Sequence, residues 1–477
     1  MIFGDEKMAV INVVRISKLG GTTGIRMDAE YYDPESIKIE NHLKRIPCIT
    51  IKNLQLRVDG SAFYPSIAEY YQTSGIPFLR VGDIIDGFLK TEDVLFLPIE
   101  IADKFSSIRK TCPRDIVITK GGSVGIAAIL PNIFNRYALS RDLIVIRTSR
   151  LSEEEAISIL LFLISKYGKS LLLRGKSQQV QPHLTLPVIK ELPIPDFKIG
   201  KLVEIYKDSS IHFQKSKFLY SQAENLLLEE LGLKDFKPRY KKTYTANLSN
   251  VLSAHRIDAE YFQPAYEEVI EKLRENNIEL PPLRKFILNI QKGIEVGSEN
   301  YQNEGKPFIR VSNLSITGFT DKDQKYISEG LYQQLRGTYE PQQGDFLLSK
   351  DATPGIAYVV KEQIEGIISS GILKLQIDES EINKEYLALC INSLIGKMQI
   401  ERDGGGSVIL HWKPEQVKRL NIPILPLSTQ QKIASLVQES HEARKKAKEL
   451  LEAAKKAVEI AIENSEEEAV EYISRIA

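Results

Sequence analysis

The chain has 477 residues, is 43% hydrophobic and 26% charged, and its 63 basic and 63 acidic side chains cancel to zero net charge. That length carries two or three domains with proper cores, and the zero balance excludes a globally basic nucleic-acid binder, so any such role must rest on local charge. No apolar run reaches the roughly 18 residues that span a bilayer, residues 1–18 lack the pattern of a signal peptide, and three scattered cysteines (Cys48, Cys112, Cys390) argue for a reducing cytoplasm and against a disulfide framework or structural metal.

In chain order, the glycine-rich Leu19–Gly24 leads into no nucleotide-binding unit and is expected to be a turn. Arg26-Met27-Asp28-Ala29-Glu30-Tyr31-Tyr32 then opens a pattern that returns at Arg256-Ile257-Asp258-Ala259-Glu260-Tyr261-Phe262, 230 residues later. Gly75-Ile76-Pro77-Phe78-Leu79-Arg80-Val81 returns as Gly305-Lys306-Pro307-Phe308-Ile309-Arg310-Val311 at the same distance, as do Asp115–Lys120 at Asp345–Lys350 and Gly125-Ile126-Ala127 at Gly355-Ile356-Ala357. Several blocks at one offset make a tandem duplication, and the period is far longer than a solenoid repeat, so each copy is a whole domain.

Within a copy, Ile116–Ile118, Leu143–Ile146, Phe346–Leu348 and Ile372–Leu375 are short apolar strand candidates. Ile157–Tyr167 and Tyr386–Ile395 read as single buried helices. Leu192-Pro193-Ile194-Pro195 closes the first copy and Leu420-Asn421-Ile422-Pro423 the second, and a long helix follows each. Leu202, Ile205, Ser209, His212, Ser216, Leu219, Ala223 and Leu226 fall at alternating steps of three and four, with Gly232 placed to end that helix. Ile433, Leu436, Ser440, Ala443, Ala447, Leu450, Ala454, Ala457 and Ala461 do the same. Two matched seams predict an antiparallel pair. The expected architecture is α+β: two tandem α/β recognition domains, 1–197 and 237–427, with spacer helices in 198–236 and 428–477, related by a pseudo-twofold axis.

No catalytic constellation emerges. The Asp/Asn-Pro-Pro-Tyr/Phe loop of an amino-methylating enzyme is missing, and Gly168-Lys169-Ser170 and Gly175-Lys176-Ser177 lack the earlier glycine of a phosphate-binding loop. Pro195-Asp196 has no Glu-x-Lys following at useful spacing, and neither His183 nor His411 has a nearby Ser or Cys in a nucleophile setting. The stretch Lys166–Lys217 is locally basic, whereas Glu466, Glu467, Glu468 and Glu471 make the tail acidic. The copies differ most in their loops: Val58–Ser74 against Gly293–Glu304, and Arg174–Pro187 against Arg402–Pro414. A shared scaffold with unlike loops suits two recognition heads of separate specificity.

The duplicated Arg-x-Asp-Ala-Glu-Tyr opening, the Gly-x-Pro-Phe-x-Arg-Val block, Gly344–Lys350, and Ile422-Pro423-Ile424-Leu425-Pro426-Leu427-Ser428-Thr429-Gln430-Gln431-Lys432-Ile433 together resemble the specificity subunit of type I restriction-modification systems over nearly the whole chain. The first copy departs where Pro195–Leu202 replaces the last of these blocks. The resemblance implies a non-catalytic subunit whose two target recognition domains read the halves of a split, asymmetric double-stranded DNA sequence. It implies helices that space the halves and dock two methyltransferase subunits, with two restriction subunits as optional further partners. S-adenosylmethionine, ATP and Mg would belong to those partners, with no cofactor in this chain. A recognition subunit of a related phage-defence or solitary methylation system, or a nuclease with an unrecognised site, stays open as an alternative.

Candidate DNA contacts in the first copy are Lys120, Arg174, Lys176, Gln178, Gln179 and Gln181; in the second they are Lys292, Lys350, Arg402, His411 and Lys413. Glutamine pairs with adenine and arginine with guanine at base edges, while Lys120 and Lys350, equivalent by repeat, are expected to hold the backbone. Arg80 and Arg310 are expected in structural ion pairs, the acids Asp28, Glu30, Asp258 and Glu260 in scaffold pairing, and Trp412, the only tryptophan, packed against its domain.

Overall fold

The computed structural model describes Val13, 28–62, 64–91, 94–176, 183–196, 199–321, 323–404 and 411–476. The turn at Leu19–Gly24, the start of the first opening motif, and Gln178, Gln179 and Gln181 lie outside the described residues. Two compact units share the chain: residues 1–212 with 445–477, and residues 213–444. Each unit thus combines one sequence repeat with parts of both long helices.

The duplication is repeated in strand order. In the first unit, Val58–Gly60, Leu143–Ile146, Ile116–Thr119 and Ala127–Ile129 form an antiparallel sheet in that order. In the second, Ile287–Lys292, Ile372–Ile377, Phe346–Ser349 and Ala357–Val359 do the same. A smaller sheet accompanies each, centred on Ile76–Leu79, which pairs parallel with Tyr137–Leu139, or on Lys306–Ile309, which pairs parallel with Ile367–Ile368. The central strands are continuous apolar runs because both faces are covered. Leu347 and Ile372 pack toward Ile309 and Ile368 of the smaller sheet. Phe346, Leu348, Leu373 and Leu375 point the other way, into a helical core with Tyr386, Leu387, Ile391 and Trp412.

The two buried helices differ from the single segments expected. The first runs Glu153–Ile164 and resumes as Lys166–Arg174 after a bend of 67°. The second runs Lys384–Asn392 and resumes as Leu394–Gly404. Ser165 and Ser393 sit at the breaks in extended backbone. Their hydroxyls donate to Phe162 O at 2.6 Å and Cys390 O at 2.8 Å, which competes with the helical ladder. A Cβ at Gly168 or Gly396 would come within 2.2 or 2.0 Å of the Phe162 or Ile391 carbonyl oxygen. The apparent Gly-Lys-Ser motif is therefore one side of a tight bend. Among the described residues no single helix is long and apolar enough to cross a membrane, and the bent pair of the first unit that passes on composition is mostly buried.

The long helices are Gly200–Glu230, of 31 residues, and Leu427–Glu463, of 37. Their seams are buried, apart from half-buried positions such as His212 and Leu436. In the first unit Ser209 Oγ donates to the Ala447 carbonyl at 2.6 Å. In the second, Ser440 Oγ donates to the Ser216 carbonyl at 2.7 Å. In each unit the two helices thus meet through a serine hydroxyl set on a backbone carbonyl. Small serine and alanine side chains allow this approach. Gly232, at φ +67°, ends the central helix. Leu233 N donates to Leu228 O at 2.7 Å and Gly232 N to Glu229 O at 2.9 Å, which satisfies the last carbonyls. The C-terminal helix ends earlier than expected, and Ser465 caps a separate helix, Glu466–Ser474.

Gln430, absent from the first copy's sequence, is buried where the second long helix begins. Its amide donates to Leu425 O and accepts from Asn383 N, both at 2.9 Å. Directly after the seam residue Ser440, His441 packs edge-on to Tyr358, 5.8 Å between centroids. Burial, with Lys361 and Arg444 nearby, pushes its pKa down from the ordinary 6.5 to about 3. The unfolded chain therefore takes up this proton as pH falls through 6.5 while the folded chain resists it, so stability is lost on the acid side. Between pH 7 and pH 5 the second unit is expected to lose about 2 kcal/mol. Denaturant titrations of the wild type and His441→Phe at both pH values check this, the variant showing less of the loss.

Candidate nucleic-acid interface

Each antiparallel sheet carries one hairpin whose head begins with a lysine. In the first unit Thr119 N donates to Ile126 O and Gly125 N to Thr119 O, both at 2.9 Å, and Ile126 N donates to Thr119 Oγ1 at 2.9 Å. In the second, Ser349 N donates to Ile356 O and Gly355 N to Ser349 O at 2.9 Å, and Ile356 N donates to Ser349 Oγ at 2.8 Å. A hydroxyl at this position is what both copies need, and Thr and Ser both supply it. Gly125 and Gly355, at φ +86° and +90°, let the chain turn back.

The lysine after the hydroxyl is pinned by its backbone on both sides. Lys120 N donates to Asp142 O at 2.8 Å, and Leu184 N donates to Lys120 O at 3.0 Å. Lys350 N donates to Gly371 O at 2.9 Å, and Trp412 N donates to Lys350 O at 2.8 Å. These bonds set the hairpin beside the segments that contain His183 and His411. The two copies thus bring together Lys120 with His183, and Lys350 with His411. Burial lowers the Lys120 pKa, with Asp142 opposing and Arg141 adding to the shift. Lys350 Nζ donates to Asp351 at 2.6 Å, and the other oxygen of Asp351 lies 2.9 Å from His411 Nδ1. Burial works against the charged Asp351, but Lys350 and His411 outweigh it and hold its pKa low.

Arg174 and Arg402 are both engaged by partners within the scaffold. Arg174 lies over the Tyr31 ring at 4.1 Å, donates to Tyr31 O at 2.7 Å and pairs with Glu40, with its side chain only 10% exposed. Arg402 lies 4.6 Å from the Tyr261 ring and pairs with Glu267. Arg256 stacks on the same ring at 4.6 Å, and Asp258 accepts two bonds from it at 2.8 Å. The opening motif is thus a scaffold clasp that ties the broken helix to the domain's beginning, as expected for Asp258. Arg256 Nη1 also donates to the Asp403 carbonyl at 2.9 Å, while the Asp403 carboxylate accepts from Trp412 Nε1 at 3.2 Å. Trp412 is fully buried, as a packed scaffold residue.

Arg80 pairs with Asp83 at 3.1 Å, as expected. Arg310 departs from that expectation because Asn313 replaces the acid; its guanidinium donates to the Asp323 carbonyl. Lys292, at the end of its strand, and Lys413, at the cap of Pro414–Arg419, are exposed, and Lys176 is half-buried. Lys413 directly follows Trp412, whose N–H holds the Lys350 carbonyl. Asp351 was missed by sequence reasoning. The available signal was the mismatch with Gly121 next to an otherwise matching lysine. Among the described residues no group of three or more His, Cys, Asp or Glu could hold a metal ion.

The family model described as the Type I restriction modification DNA specificity domain matches residues 59–196 and again 287–453, more than half of the chain. The chain belongs to this family. It is a DNA specificity subunit, and the duplicated match falls on the two copies read from the sequence. Among solved structures, the type I restriction-modification system S subunit from M. genitalium aligns at 14% identity over 90% of this chain and 96% of its own, with a TM-score of 0.35. The HsdS subunit from Thermoanaerobacter tengcongensis aligns at 15% identity over 89% and 96%, with a TM-score of 0.26. A structure concerned with complex assembly and conformational transition of the type I R-M system aligns at 14% over 89% and 97%, again at 0.26. At those scores the alignments add no argument to the specificity subunit's assignment. No curated protein matches the chain.

Proposed function

We propose that each unit of this specificity subunit reads one half of a bipartite, asymmetric DNA target, and that the chain does no chemistry itself. Two methyltransferase subunits would supply S-adenosylmethionine and methylate adenine, two restriction subunits would add ATP- and Mg-dependent translocation and cleavage, and the complex would act in the cytoplasm. The observation that carries this reading is the hairpin. Its hydroxyl lock and backbone pins are the same in both copies, while the neighbouring side chains differ, Gly121 against Asp351. A fixed frame with changed chemistry at its head is what two readers of different sequences need. Lys120, Lys176, Lys292, His411 and Lys413 remain proposed contacts, and Lys350 stands at the same interface with its side chain turned to Asp351.

The test is an exchange. Replacing residues 1–197 by the corresponding domain of another family member, in a complex with its methyltransferase subunits, is expected to change one half of the methylated motif and leave the other intact. Methylome sequencing reads the outcome. Alteration of both halves would contradict independent readers, and loss of all sequence preference with intact folding would contradict the reading altogether.

A further inference from the structure

The two loop lysines have unequal neighbours. In the first unit the following residue is Gly121, and a Cβ there would sit 2.8 Å from His183 Cε1, so the histidine closes onto the bare backbone. Among the described residues no carboxylate stands within ion-pairing distance of Lys120; its acidic neighbour Asp142 lies 3.6 Å from Arg141. In the second unit Asp351 fills that position. It accepts Lys350 Nζ at 2.6 Å on one oxygen and meets His411 Nδ1 at 2.9 Å with the other. The Lys350 side chain is only 12% exposed and that of Asp351 21%, while His411 is 65% exposed.

A phosphate that approached Lys350 would have to displace Asp351 or lie against its charge. Like charges at this distance repel strongly near a protein surface. A carboxylate offers about four acceptor positions, so two remain after Lys350 and His411 are served. The donors that suit a fixed carboxylate are exocyclic amino groups of bases, the cytosine N4 group above all.

We propose that Asp351 is a specificity-determining residue of the second unit: it withholds Lys350 from the DNA backbone and presents an acceptor to a base-edge amino group, whereas the Gly121 loop leaves Lys120 to grip phosphate. This rests on the DNA-reading function proposed above. The two units then bind unequally, the first contributing more salt-sensitive affinity through its loop and the second more base discrimination.

The experiment uses the full chain with its methyltransferase subunits, as wild type, Asp351→Asn, Asp351→Gly, and Asp351→Asn combined with Lys350→Met. Asn keeps the size and can still bond His411, which guards against misfolding, and a thermal melt confirms it. Two probes are used: a fixed-sequence duplex without a preferred site, titrated at several salt concentrations, and a pool of randomised duplexes selected for binding. Freeing one lysine for phosphate is expected to steepen the log K against log salt slope by about 0.9 and to tighten low-salt binding to the fixed duplex by roughly threefold to tenfold. The Lys350→Met combination should return both to wild type. In the pool, both single variants should lose or change the preferred base at a position in one half-site only. An unmoved slope, or an unmoved base preference, overturns the inference. If the wild type itself selects no sequence from the pool, the DNA-reading function fails instead, which keeps the two failures apart.

Discussion

Asp115→Ala is expected to destabilise the first unit by about 3–5 kcal/mol, the range for removing one partner of a buried ion pair. The Asp115 side chain is 5% exposed and accepts from Thr111 Oγ1 at 2.6 Å, Cys112 N at 3.1 Å, Thr148 N at 2.9 Å and Arg147 Nη1 at 3.1 Å. Arg147 also meets Asp59 at 3.3 Å, so the guanidinium is held between two carboxylates. Alanine would leave two backbone N–H groups and a hydroxyl without their acceptor, and would leave Arg147 with a single acid. The repeat supplies an internal control. Asp345 is the equivalent residue, but its side chain is 26% exposed, accepts Gln342 N at 2.8 Å, and meets Lys374 only at 3.5 Å. Asp345→Ala should therefore cost about 1–2 kcal/mol, in a more hydrated site. Denaturant unfolding of the three full-length proteins, followed by hydrogen exchange in each unit, reads the two effects separately. Equal losses at both positions would show that the buried network is not what makes Asp115 necessary.

The fold was legible because it is written twice. Strands at Ile116–Thr119 and Phe346–Ser349 lie where apolar runs fell at one offset, and the seams of both long helices followed from steps of three and four. What escaped was local. A helix period continues through Ser165 and Ser393, so the apolar pattern cannot show the break. The hydroxyl bond to the preceding carbonyl and the glycine three residues later decide it. The division of each long helix between units also has no sequence mark, since a heptad seam looks alike along its length.

The site was legible in outline only. Lys120 and Lys350 were visible as equivalent residues before a glycine-containing loop, and the structure gives their backbones matching partners. Arg174 and Arg402 read as free contacts in the sequence because nothing near them in the chain shows a partner. The tyrosines that hold them lie more than 140 residues away in the chain. Asp258 and Trp412 went the other way: both were assigned to scaffold on type and position, and both meet partners there. Base contacts are set by side-chain partners across long sequence separations, and no local pattern carries that information.

Insertion of one heptad into both long helices, after His212 and after Ala443, is expected to abolish methylation at the native target and create a new target with a longer gap. Seven residues add about 10.5 Å and turn the helix through nearly two full turns, so the apolar seam keeps its direction. The bonds Ser209 to Ala447 and Ser216 to Ser440 each stay on one side of the insertion and keep their partners. Where the helices space the half-sites, as the resemblance implies, that added length corresponds to about three base pairs, since duplex DNA rises about 3.4 Å per step. The two half-sites should be unchanged in sequence. Insertion into the central helix alone would slide one seam past the other and force the alanine positions against larger side chains, so that protein should lose several kcal/mol of stability and bind neither target. Methylome sequencing of cells that express each variant with its methyltransferase subunits gives the result directly. A doubly extended chain that still methylates the original motif, with its original gap, would show that the paired helices do not measure the distance between half-sites.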